Sequence, residues 1–136
     1  MQANNPSIIL DPNTEKGLAG FITQLNRIRS ENYDYVWFIE DDVFFYNEKT
    51  IIDIDVKYPL YDLLANCDFK EGNYKDWLWS GIKINLPTPY YSGMMCAIRV
   101  SNDLLKNIKA YVNRNKKLFF IEALFPTIIN HNNLTY

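Results

Sequence analysis

Apolar residues fall along this chain in two different periods, and the change from one to the other marks out the elements. Leu18, Phe21, Ile22, Leu25 and Ile28 recur at helical spacing, with Gln24, Asn26, Arg27 and Arg29 between them, which predicts an amphipathic helix ended by Ser30-Glu31-Asn32. Tyr35-Val36-Trp37-Phe38-Ile39 is too short for a helix and too apolar for an exposed segment, so it reads as a buried strand. Strands apolar on both faces belong mainly to parallel or mixed α/β sheets. Ser7 to Leu10 reads as a short strand closed by Asp11-Pro12-Asn13, with Asn13 or Thr14 able to cap the helix that follows.

Past Tyr46 the pattern is less even. Thr50 to Asp55 fits either a helix or a strand, and Lys57-Tyr58-Pro59 breaks it. Leu60 to Ala65 reads as a short strand inside the sheet, Asn66 to Asp76 as a polar loop, and Leu86 to Pro89 as an extended connector. Tyr90 to Val100 reads as one strand, with Gly93 at a bulge or a close backbone approach. Ser101-Asn102-Asp103 caps a helix through about Asn113 that has Leu104, Leu105, Ile108 and Val112 on one face. Leu118 to Ile121 is a further apolar run, after which a helix begins with Pro126 in its first turn. The expected architecture is one α/β domain over residues 1–136, a mixed sheet flanked by helices.

Composition narrows the function classes. The chain has 136 residues, 48% hydrophobic and 22% charged, enough for a packed core and unlike a disordered chain. Its net charge is −2 and its densest basic spot is Arg114 with Lys116-Lys117, which disfavours a nucleic-acid surface. No run approaches membrane-spanning length and no signal peptide stands at the N-terminus, so a cytoplasmic protein is expected. Cys67 and Cys96 lack metal-type spacing and are expected to be reduced, a single disulfide being the alternative, with Cys96 buried as a small hydrophobe.

The chemistry concentrates where the aromatic strand ends, at Glu40-Asp41-Asp42. Ligands of open α/β sheets bind beyond the carboxyl ends of strands. Adjacent carboxylates repel, and Mg²⁺ or Mn²⁺ offsets that repulsion while keeping positions for water and substrate phosphates. In an extended segment Glu40 and Asp42 point to one side and Asp41 to the other, an acid-x-acid pair able to share a metal. A solvated acidic turn is the plain structural alternative. Glu122 is a lone acid in an apolar run, and is either a helix N-terminal residue favoured by the dipole or a general base. Trp77 and Trp79 share a face in extended chain and serve as core or as a stacking platform. His131, the lone histidine, is either a metal ligand or a support to one, or, as expected for a lone His late in a helix among asparagines, exposed.

Tyr35 to Val43 resembles the strand and DxD-type motif of GT-A glycosyltransferases. Ser92 to Ser101 looks like their acceptor-side strand, and Phe120-Ile121-Glu122 like the strand-to-helix acid that often follows. The likeness runs from about Ile8 to Tyr136, and is nearest to glycosyltransferase-like proteins of large DNA viruses and some microbes, which for a viral source implies the host cytoplasm. It implies a GT-A-like sheet, a nucleotide-sugar donor, a glycan or other hydroxyl acceptor, and Mn²⁺ or Mg²⁺ held by Asp42 and Glu40. Asp41 would contact the sugar or ribose, and Glu122 would be the base of an inverting single displacement. Trp77, Trp79, Tyr91 and Arg99 would lie on the substrate side. Members of that family carry a longer nucleotide-binding region before the acids, so the domain is expected to be minimal or partial, with room for a further domain or chain. A non-catalytic carbohydrate- or nucleotide-binding remnant of the same fold is the second reading. A metal-dependent phosphohydrolase or nuclease is third, because such sites need further acids or histidines in other elements.

Overall fold

The computed structural model describes residues 15–30, 33–72 and 85–136. The expected strand at Ser7 to Leu10, the cap at Asn13 or Thr14, and Trp77 and Trp79 lie outside the described residues. The elements are α1 (Glu15–Ser30), β1 (Tyr35–Ile39), α2 (Lys49–Lys57), β2 (Leu63–Leu64), β3 (Lys70–Gly72), β4 (Tyr90–Ser92), β5 (Ala97–Ser101), α3 (Asn102–Asn115) and α4 (Ile121–His131).

The class is mixed α/β, but the pairing corrects the expected mixed sheet. β1, β5 and β2 form one sheet in that order and β3 pairs with β4 in another, all antiparallel. The central strand is therefore β5, and the aromatic strand β1 stands at an edge among the described residues. Register explains the difference. Val36 faces Val100 and Phe38 faces Ile98, so this side of the sheet meets the core. Trp37 faces Arg99 across the ladder, and that side is covered by polar contacts from α2. Tyr90 to Val100 is likewise not one strand. It divides at Gly93 to Cys96 and serves both sheets.

The core lies between the sheet and the two C-terminal helices. Ile98, Val100, Leu104, Ile108, Val112, Leu124 and Ile129 are all fully buried. The α3 start follows its sequence signal: the Ser101 hydroxyl accepts the Leu104 N–H at 3.1 Å, and all four residues of the expected apolar face are buried. Such a cap contributes about 1 kcal/mol. Thr50 to Asp55 resolves as helix, and Leu118 and Phe119 are buried lead-in residues with no strand. Pro126 is the sixth residue of α4, past the first turn, and its missing N–H leaves the Glu122 carbonyl without a helical partner. The Gly93 N–H donates to that carbonyl at 3.0 Å, so a break in one element is filled by another.

A second long-range clasp holds the C-terminal residues to β2. The N–H groups of Asp62 and Leu63 donate to the Thr135 carbonyl at 3.0 and 3.1 Å, while the Asp62 carboxylate accepts from the Thr135 N–H and hydroxyl and from Ser101 Oγ. Partial burial pushes the Asp62 carboxyl up, but the hydrogen bonds from Ser101 and Thr135 outweigh it and hold the group below its ordinary value. A folded-state value below the unfolded one adds stability above the unfolded pKa and loses it as pH falls through the folded pKa. Asp62→Asn is expected to cost on the order of 1 kcal/mol at pH 7. Urea midpoints of the two proteins should converge below about pH 4.

Candidate functional site

Glu40 leaves β1 with its N–H bonded to the Cys96 carbonyl at 2.9 Å, and the Val43 N–H returns to the Glu40 carbonyl at 3.1 Å. The acids therefore lie on a turn directly after the strand, not on the extended chain that strict alternation assumes. All three are exposed, and none has a cationic partner among the described residues. Cys96 is half-buried, which corrects the expectation of a buried residue. The Glu40 carboxylate beside its thiol, then burial, then the charges of Glu40 and Asp42 push its pKa up. One thiol thus feels both Glu40 and Asp42. Cys67 and Cys96 are both free.

Glu122 is half-buried in the first turn of α4, where its charge complements the helix dipole. Its main chain is tied to Gly93, and three residues later Cys96 is tied to Glu40. Three residues span at most about 11 Å, so Glu122 and the acidic turn belong to the same end of the molecule. The approach at Gly93 is close: a Cβ there would stand 2.5 Å from the Phe69 ring and 2.9 Å from Cys67 Sγ. A bare backbone is what lets this connection pass under Phe69.

The other substrate-side candidates sit elsewhere. Tyr91 is half-buried in β4, its main chain bonded to the Thr127 hydroxyl, and it does not line the groove described below. Arg99 is 1% exposed. Nη1 donates to Asp55 Oδ1 at 2.9 Å, Nη2 to the Tyr58 and Tyr61 carbonyls, and the guanidinium stacks 4.3 Å from the Tyr35 ring centre. These contacts make it the bolt joining β5 to α2. His131 is half-buried rather than exposed, with Nε2 2.7 Å from the Pro89 carbonyl oxygen.

Sequence reasoning missed the surface between α2 and the sheet. Trp37 Nε1 donates to Asp55 at 3.2 Å, so one carboxylate holds both Trp37 and Arg99. A groove of about 750 Å³ opens there, lined by Trp37, Phe44, Phe45, Tyr58 and Cys96 among others, with no charged lining residue. Its size suits a small organic ligand. The one usable signal was the alternation of Trp37 against Val36 and Phe38, which put the indole on the face away from the core.

Among the described residues no three His, Cys, Asp or Glu side chains converge as a finished metal cage. Glu40 and Asp42 supply hard oxygen donors on an exposed turn, which suits a cation whose remaining ligands are water and substrate phosphates. No helix of the described residues is long and apolar enough to cross a membrane. No protein-family model, curated protein or solved structure matches the chain.

Proposed function

We propose that the chain is a GT-A-like glycosyltransferase that moves a sugar from a nucleotide-sugar donor to a hydroxyl acceptor. The observation that carries this reading is the unpaired acidic turn at the end of β1, beside an uncharged aromatic groove. Asp42 and Glu40 would hold Mn²⁺ or Mg²⁺, and the ion would neutralise charge on the departing diphosphate. Asp41 would contact the sugar or ribose. Glu122 would take the proton of the acceptor hydroxyl, giving an inverting displacement.

Release of nucleoside diphosphate from a panel of nucleotide-sugars, with Mn²⁺ and with chelator, tests the activity, since water replaces the unidentified acceptor. Glu122→Gln is expected to spare donor binding and slow release by about 10²- to 10⁴-fold. Unfolding of that variant instead would assign Glu122 to helix capping. The second reading, a binding module without turnover, is favoured by one observation: the Glu122 main chain has a complete structural role in holding Gly93. Metal-dependent nucleotide binding with no diphosphate release would select it.

A further inference from the structure

The segment that supplies most of the groove's aromatic wall is acidic: from Glu40 to Tyr58 there are six carboxylates against two lysines, with Arg99 packed behind it on Asp55. Only Asp55 of these acids has an ion-pair partner among the described residues, namely Arg99. The groove itself presents rings from Trp37, Phe44, Phe45 and Tyr58, together with Met94, and no charge. Aromatic faces near uncompensated carboxylates attract organic cations and repel anions. The chain already shows this affinity at the edge of the groove, where Lys57 Nζ stands 5.1 Å from the Tyr58 ring centre. The cleft is of the size that encloses a drug-like molecule.

We propose that this groove binds a cationic amphiphile, an organic ammonium carried on an aromatic or alkyl body. The body lies against the apolar lining and the ammonium sits over the rings, inside the negative potential of the acids. On the transferase reading a hydroxyl-bearing member of this class would enter as the acceptor, but its binding does not depend on that reading. Phe44 is the side chain to vary, because it lines the groove while remaining 77% exposed, so its truncation leaves the core intact.

The test is calorimetric titration in chelator, at low salt, with three probes of one shape: phenethyltrimethylammonium, its uncharged tert-butyl isostere and 3-phenylpropionate. The ammonium is expected to bind about tenfold more tightly than the isostere, and the carboxylate not to bind. Phe44→Ala, with an unchanged melting temperature, should weaken the ammonium at least threefold. Discrimination below threefold between ammonium and isostere, absence of ammonium binding, or indifference to Phe44→Ala would overturn the proposal. Because chelator and the absence of nucleotide are part of the design, failure here leaves the donor-site reading to its own experiment.

Discussion

Arg99→Ala is expected to lower unfolding stability by about 3–5 kcal/mol, read as a fall in the urea midpoint at constant slope. The residue is 1% exposed on the central strand, and its side chain joins four parts of the chain: Asp55, the Tyr58 and Tyr61 carbonyls, and the Tyr35 ring. Truncation leaves a cavity, strips donors from two carbonyls and frees Asp55. Asp55 is 44% exposed at its side chain and can be rehydrated, which places the cost nearer the lower end. Arg99→Lys should recover little, since an ammonium cannot reproduce the forked contacts to a carboxylate and carbonyls together. The loss should extend to the groove, because Asp55 also holds the Trp37 indole. A change below about 1 kcal/mol would mean that this network is surface decoration.

Asp42→Asn is expected to have the largest effect on ligand binding and almost none on the fold. The side chain is exposed and no structural hydrogen bond to it is described, so removing its charge disturbs no packing. Loss of one carboxylate from the proposed two-acid cation site should weaken metal-dependent nucleotide binding by about 30- to 100-fold, the equivalent of 2–3 kcal/mol. Asp41→Asn should weaken it less, because the proposed cation is held by Glu40 and Asp42.

The legible parts of the fold were those specified by neighbours in sequence. α3 carries its own cap at Ser101 and its own buried face, so periodicity and capping chemistry suffice to find it. β1 was legible as a strand, and Gly93 as a close approach. Its place in the sheet was not, because burial on two faces and burial on one face plus a polar network give the same apolar run. Arg99 shows the reason most clearly. A charged residue on the central strand is stable only through Asp55 and two carbonyls some forty residues away, and no local pattern encodes those partners. The clasp of Asp62 with Thr135 and the use of the Glu122 carbonyl by Gly93 are long-range in the same way. At the site, the acids were found from composition and position, whereas the groove depended on α2 folding back over Trp37.

The direct test of the donor site is titration of UDP, GDP and their sugars into the protein and into Asp42→Asn, with Mn²⁺ and with chelator. The account predicts binding of at least one nucleotide that requires Mn²⁺ and is weakened about 30- to 100-fold in the variant while its melting temperature is unchanged. A folded protein that binds none of them, or binds them equally in chelator and after Asp42→Asn, would contradict it.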